Sequence, residues 1–175
     1  VVSSVDPRWY VLMIIIARAE NWNMNEFSKL VDEATARDPY CYQIYFAAVD
    51  YLTPKWHGSK IEIEKFAKKA VDITYPIEKN AMYARIYWHA SKTNYGVNLF
   101  TKSSVVWEKM SASIDDVLVD YPDQWNINNF AFFSCLAGDA RKTNMLIRKI
   151  KGKPMLAAWK TMSYFKSCKK WSAMK

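Results

Sequence analysis

Prolines divide this chain into segments of helical length. Four of them follow an aspartate or a tyrosine, as Asp6-Pro7, Asp38-Pro39, Tyr75-Pro76 and Tyr121-Pro122. Proline pushes the preceding residue toward extended backbone and suits the first turn of a helix, so each dipeptide can end one helix and start the next. The sequence therefore predicts a series of helices interrupted at these four points.

Apolar residues recur between the prolines at the spacing of a buried helical stripe, i, i+3, i+4 and i+7. The clearest stripes are Trp9-Leu12-Met13-Ile16, Phe27-Leu30-Val31-Ala34, Tyr42-Tyr45-Phe46-Val49 and Ile63-Phe66-Ala67-Ala70. Asn23 with Glu26, and Ser59 with Glu62, have the spacing of capping boxes and mark two helix starts. The alternation typical of strands is nowhere sustained, which favours an all-α fold.

The breaks pair the helices as 8–19 with 23–37, 40–52 with 60–73, 77–93 with 98–119, and 124–137 with 140–151, followed by a last helix near 155–169. Successive X-Pro prolines are 32, 37 and 46 residues apart, which brackets the period of about 34 in tetratricopeptide repeats. We predict an all-α, tetratricopeptide-like stack of about four antiparallel helical hairpins plus a C-terminal capping helix. Residues 1–175 would form one repeat domain, with 140–175 as its basic last half-hairpin and cap.

Residues 51–59 form the most specific motif, Tyr-Leu-Thr-Pro-Lys-Trp-His-Gly-Ser. With Phe66-Ala67 it resembles the Leu-x-Pro-Arg-Trp-Gly-Gly-Ser signature of a bacterial helical-repeat domain family of unknown function. Further blocks agree in order, among them Asp6-Pro7-Arg8-Trp9-Tyr10, Tyr83-Ala84-Arg85-Ile86-Tyr87-Trp88 and Cys135-Leu136-Ala137-Gly138-Asp139. The resemblance covers about residues 6 to 150. It implies a bacterial source and helices upstream of Val1, so we expect a fragment of a longer chain, and it implies no reaction.

The motif allows two interpretations of Lys55, Trp56 and His57. In the structural one, Trp56 is a plug between hairpins, and Gly58 and Ser59 are a turn and an N-cap. In the functional one, the three residues form a ligand-facing interaction loop. Lys55 replaces the arginine of the signature and His57 its first glycine. If that glycine occupies a positive-φ turn, we expect His57→Gly to be tolerated.

The sequence offers no constellation that compels a reaction. Neither histidine, His57 or His89, has a partner at metal-ligand spacing, and the four glycines are isolated, so we predict no metal or cofactor. The acidic cluster Asp115, Asp116, Asp120 and Asp123 is typical of a solvated helix end. An enzyme with its site at the Trp56-His57 loop is a distant third class of function.

Three cysteines, Cys41, Cys135 and Cys168, are too few and too scattered to indicate a disulfide framework. Cys135 lies among Phe132, Phe133 and Leu136 and is expected to behave as a small core residue. The longest apolar run, from Trp9 to Ala17, is nine residues, short of the roughly 20 that a membrane span needs. We predict no transmembrane segment, and both cytoplasm and periplasm stay open.

Charge is distributed very unevenly. Residues 1–139 hold 14 basic and 17 acidic residues, a net of −3, whereas 140–175 hold 11 basic and none acidic. Lysines there, Lys166, Lys169 and Lys170 among them, alternate with Trp159, Tyr164, Phe165 and Trp171. This pattern suits binding to nucleic acid or to an anionic membrane surface. It also suits a capping helix with Met155, Trp159, Met162, Tyr164 and Phe165 buried and its lysines outside.

These patterns favour a non-catalytic protein-binding or scaffold module. Stacked hairpins present side chains from the first helix of each pair, a surface suited to an extended peptide or a partner helix. The alternative is polyanion binding, to nucleic acid or anionic lipid, through residues 141–175.

Overall fold

The computed structural model describes residues 6–174, and these contain eleven α-helices and no strand. The helices are α1 Pro7–Ala19, α2 Met24–Arg37, α3 Tyr42–Tyr51, α4 Lys60–Glu78, α5 Ala81–Ala90, α6 Leu99–Lys102, α7 Trp107–Asp120, α8 Gln124–Leu136, α9 Ala140–Arg148, α10 Leu156–Trp159 and α11 Met162–Ala173. A π-helical turn, Ser91–Tyr95, and a 3-10 turn, Gly96–Asn98, follow α5. The prediction of an all-α helical stack is confirmed.

The chain divides into two compact units. The first ends at Val105 and the second begins at Val106. We call them unit 1, which contains α1–α6, and unit 2, which contains α7–α11.

Unit 1 is built from two rows of helices. In the first row, α3 packs against both α1 and α5. In the second row, α2 packs against α1 and α3, and α4 packs against α3 and α5. Between the rows lies a closely packed core of aromatic and aliphatic side chains, which includes Tyr10, Ile14, Phe27, Ile44, Tyr45, Ile63, Phe66, Met82 and Ile86.

Local capping explains where two helices of unit 1, α2 and α4, begin. The Asn23 side-chain oxygen accepts from the Glu26 amide at 3.0 Å, and its side-chain nitrogen donates to the Glu26 carboxylate at 2.7 Å. The Ser59 hydroxyl accepts from the Glu62 amide at 3.3 Å. Both predicted starts are confirmed, because each cap satisfies amide groups that the helix cannot pair internally.

The predicted stripe of α1 is wrong. Tyr10, Ile14 and Ala17 are buried, whereas Trp9 and Leu12 are 47% and 59% exposed. This helix is apolar around most of its circumference, so periodicity could not decide which side packs. Its outer side leaves Trp9, Leu12, Ile15 and Ile16 in contact with solvent.

Two predicted helices are broken in the structure. The helix predicted over 98–119 stops at Lys102, and the chain is extended at Ser103, whose hydroxyl accepts from the Val105 amide at 3.1 Å. The helix predicted near 155–169 is interrupted at Lys160, where φ is +66°. Neither break coincides with proline or glycine, which explains why the sequence pattern missed them.

Proline does not interrupt α4. The helix was predicted to end near residue 73, but it continues through Pro76 to Glu78. Pro76 lies in the last turn, where the missing amide costs only one hydrogen bond before the helix ends. The next helix consequently starts at Ala81 rather than at residue 77.

Unit 2 is organised around α8, which packs against α7, α9, α10 and α11. Asn128, fully buried on α8, accepts from the Trp159 indole N–H at 2.9 Å and from the Met155 amide at 3.0 Å. These bonds fix α10 on the core. As predicted, Trp159 is buried, but Met155, Met162 and Tyr164 are each more than a third exposed.

A disulfide joins α8 to α11. Cys135 and Cys168 are bonded with their Cα atoms 5.9 Å apart, and Cys41 is a free thiol. The expectation that the cysteines form no disulfide, with Cys135 a simple core residue, is therefore wrong. The two cysteines are 33 positions apart, and only the packing of α11 beside α8 brings them together.

Candidate interaction surface

The first row of unit 1 presents an accessible stripe of polar and aromatic residues. On α3, solvent exposure is kept by Gln43, Phe46, Ala47 and Asp50 among others, and these four share one side of the helix because they follow the i, i+3, i+4, i+7 spacing. On α5 it is kept by Arg85, Trp88 and His89, followed by Lys92 in the π turn. We call these residues, together with Arg18 of α1, the first-row surface.

An ionic network crosses the first-row surface. Asp50 on α3 contacts His89 Nε2 at 2.9 Å through Oδ1 and Arg18 at 3.6 Å through Oδ2. The His89 ring also stacks on Phe46, with centroids 4.9 Å apart and planes 11° from parallel. The network therefore connects α1, α3 and α5 and orients an aromatic pair.

His89 has no partner at metal-ligand spacing in the sequence, and in the structure it contacts Asp50. The two residues are 39 positions apart, so no local spacing reports the contact. The sequence nevertheless contains a signal for this contact. Arg18, Asp50 and His89 each lie in the last turn of a first-row helix, and equivalent positions of helices packed side by side are neighbours.

The predicted interaction loop lies beside this network. Trp56 is 47% exposed, and the Arg18 guanidinium and the Lys55 ammonium lie 5.3 and 5.6 Å from its ring centre. Such cation–π contacts stabilise the exposed ring in one position. Lys55 and Trp56 are therefore accessible and adjoin the first-row surface.

His57 faces inward and has a structural role. Its Nε2 is 3.1 Å from the Arg18 carbonyl oxygen, and its ring lies 4.6 Å from that of Tyr51. It is not among the residues with positive φ. The condition under which His57→Gly would be tolerated is therefore not met, and we expect that substitution to loosen the loop from α1.

Gly58 closes the loop against the end of α3. A Cβ atom at this position would lie 2.2 Å from the Leu52 carbonyl oxygen. We expect Gly58→Ala to lower the free energy of unfolding by about 1–3 kcal/mol, because backbone must move to relieve the overlap. Chemical denaturation followed by circular dichroism measures this change in the free energy of unfolding.

Lys60→Ala, at an exposed site two residues on, should change stability by less than about 0.5 kcal/mol. Equal stability of both variants would contradict the close approach.

At the other end of the first-row surface, cations again lie over aromatic rings. Arg85 is 5.0 Å from the ring centre of Tyr42 and 3.3 Å from the Glu78 carboxylate. Lys92 is 4.9 Å from the ring centre of Trp88. The surface thus carries two partly exposed aromatic rings, Tyr42 and Trp88, each with a basic side chain over its face.

A buried carboxylate lies between α4 and α5. One oxygen of Glu64 accepts from the hydroxyls of Tyr83 and Tyr87, at 2.7 and 2.6 Å. Burial, reinforced by the bond to Glu64, raises the pKa of Tyr87, so its phenol stays protonated and donates. The cluster joins two helices inside the core, which makes it a packing element of unit 1.

Unit 2 carries the predicted basic surface. Nine basic side chains of residues 140–174 are exposed, namely Arg141, Arg148, Lys149, Lys151, Lys153, Lys160, Lys166, Lys169 and Lys170. Lys142 differs, because it is buried and contacts Asp115 at 2.8 Å and the Ser111 carbonyl at 2.6 Å. Lys175 lies outside the described residues.

The three lysines singled out from the sequence, Lys166, Lys169 and Lys170, all lie exposed on α11. The Lys169 ammonium is 5.9 Å from the ring centre of Phe165. Elsewhere on unit 2, a surface groove of about 630 Å³ is lined by Arg141, Arg148 and Lys149 with Asn144, Met145 and Ser172. The sequence predicts these basic residues, but it does not predict that they lie together between α9 and α11.

Two residues of the acidic cluster at the end of α7 have structural roles. Asp115 pairs with Lys142, and the Asp123 carboxylate accepts from the Asn126 amide at 3.0 Å as the N-cap of α8. Within residues 6–174, no three His, Cys, Asp or Glu side chains are grouped so that they could hold a metal ion. In the same residues, no helix has the length and apolar character needed to cross a bilayer.

Comparison with protein-family models, with curated proteins and with solved structures found nothing that matches this chain. The resemblance to the bacterial helical-repeat family therefore stays a prediction. Any functional conclusion has to come from the surfaces themselves.

Proposed function

We propose that unit 1 is a non-catalytic, tetratricopeptide-like module that binds a peptide or protein on the first-row surface. The observation that carries the proposal is the partly exposed pair Phe46 and His89, stacked at 4.9 Å and oriented by Asp50. Aromatic side chains fixed in a solvent-accessible position lose little entropy on binding, which is why they dominate the energetics of many interfaces.

The charges of the surface indicate what kind of ligand it favours. Arg18 and Lys55 flank Trp56 at one end, and Lys92 lies over Trp88 at the other. Basic groups beside aromatic rings favour a segment that carries carboxylates next to apolar side chains. We therefore propose an acidic, partly apolar peptide or helix as the ligand class.

The arrangement of Asp50 supports a binding role rather than catalysis. Its two oxygens contact basic side chains on different helices, Arg18 on α1 and His89 on α5. A carboxylate held in this way supports the position of neighbouring side chains. The proposed mechanism is steric and electrostatic complementarity to the ligand.

The test is a peptide selection against the whole protein. A displayed peptide library should yield binders, and Phe46→Ala and Trp88→Ala should each weaken them by about 30-fold or more, as expected for central aromatic residues of an interface. Fluorescence anisotropy with labelled peptides gives the dissociation constants.

Tyr75→Ala is the matched control, since Tyr75 is a 55% exposed aromatic residue on α4, in the second row. It should leave peptide affinity unchanged, and circular dichroism should show that all variants remain folded. Selected peptides that bind the Phe46 and Trp88 variants as tightly as the parent protein would refute the proposed surface.

We propose polyanion binding as a second function, located in unit 2. Nine exposed basic side chains, with no acidic residue between positions 140 and 175, favour it. Its experimental signature is an affinity that falls steeply with salt, because phosphate contacts release counterions and surface attraction is screened.

A further inference from the structure

We propose that unit 2 docks on an anionic membrane surface. The contact would be made by what we call the docking patch, which consists of Met155, Leu156, Lys160, Met162, Tyr164 and Lys166. This inference rests on the polyanion-binding function proposed above and names its ligand as a lipid surface.

The first observation is the exposure of apolar side chains within a short segment. Leu156 is 50% exposed, and Met155, Met162 and Tyr164 are 38–39% exposed. The segment includes α10, a single turn about 6 Å long that begins at Leu156. All four apolar side chains therefore lie within ten residues, 155–164, on the surface of unit 2.

The second observation is that the segment is firmly held on the core. Trp159, between the two pairs of apolar residues, is fully buried, bonds Asn128 and packs 5.6 Å from the ring of Phe132. The Cys135–Cys168 disulfide fixes α11 to α8. The apolar side chains thus remain exposed although the backbone that carries them is anchored, as expected of a contact surface.

The third observation is charge complementarity. Lys160 and Lys166 are exposed within the same segment, and no acidic residue follows Asp139 in the sequence. The carboxylates of Asp115 and Asp139 have other partners, since they contact Lys142 and the Trp107 indole N–H respectively. A positive field beside exposed apolar groups is the combination that favours anionic lipid headgroups and the acyl boundary beneath them.

The same features favour lipid over nucleic acid. Binding of single strands uses accessible aromatic rings on which bases stack, and of Trp159, Tyr164 and Phe165 only Tyr164 is more than a third exposed. The exposed side chains of the docking patch are mainly methionine and leucine. These gain free energy by entering an apolar phase and offer no flat surface to a base.

Vesicle cosedimentation with the whole protein tests the inference. Vesicles of phosphatidylcholine with about 30% phosphatidylserine should bind the protein, and pure phosphatidylcholine should not. Lys160→Glu combined with Lys166→Glu should lower the partition coefficient at least about tenfold, since each basic residue contributes roughly fivefold. Leu156→Ser combined with Met162→Ser should lower it at least about fivefold.

Two control variants match these changes. Lys29→Glu with Lys102→Glu alters net charge equally at exposed sites of unit 1, and Val119→Ser removes a 70% exposed apolar side chain from α7. Both should bind vesicles as the parent does.

A short DNA duplex and a single strand, measured at the same salt, separate the possible failures. Binding to DNA without binding to vesicles would overturn the lipid inference and leave the polyanion function. Binding to neither would overturn both, and vesicle binding unaffected by the Leu156 and Met162 changes would overturn the docking patch.

Discussion

Replacing Trp159 with alanine should lower the free energy of unfolding of unit 2 by about 3–5 kcal/mol. The side chain is fully buried, packs against Phe132 and Phe165, and donates its indole N–H to Asn128. The substitution removes this packing and leaves a buried amide oxygen with one partner fewer. Hydrogen exchange read by mass spectrometry measures the effect separately in each unit.

Two comparisons make the Trp159 result specific. Trp56→Ala removes an equally large ring that is 47% exposed in unit 1, and it should change stability by less than about 1 kcal/mol. Asn128→Leu should destabilise unit 2 as well, because it removes the acceptor of the indole N–H while keeping a bulky side chain. Unchanged exchange in unit 2 for Trp159→Ala would show that this ring is not part of the core.

Removing the disulfide should cost unit 2 about 2–4 kcal/mol. The bridge joins residues 33 positions apart. A crosslink of that span lowers the conformational entropy of the unfolded chain, which raises the free energy of unfolding by roughly this amount. The double variant Cys135→Ala with Cys168→Ala, compared with the parent protein in urea, measures the loss.

The third cysteine supplies the control for the disulfide. Cys41 is a free thiol in unit 1, so Cys41→Ala should leave the stability of unit 2 unchanged. Dithiothreitol should destabilise the parent protein and have no effect on the double variant. If reductant acts equally on both proteins, the disulfide does not stabilise unit 2.

Much of the fold could be predicted because its signals are local. Asn23 and Ser59 start helices through bonds to residues three positions away, and such contacts are encoded within one turn. The breaks at Ser103 and Lys160 were missed because neither residue is a strong helix breaker. For α1, apolar residues on nearly every side concealed which face packs.

The candidate surfaces were predictable only in part, for the same physical reason. Trp56 and the lysines of α11 could be named from composition and motif, because exposure and charge follow from residue type. The contact between Asp50 and His89, and the bond between Cys135 and Cys168, join residues 39 and 33 positions apart. Such pairings depend on which helices become neighbours, which local patterns do not specify.

The disulfide has a consequence for proteolysis. The exposed connection between α9 and α10 contains Lys151 and lies inside the loop that Cys135 and Cys168 close. A trypsin cut after Lys151 would divide the polypeptide without releasing α10 and α11, which would stay covalently attached to α8. The nicked protein would keep the mass of the intact chain plus one water and separate into two fragments only under reducing conditions.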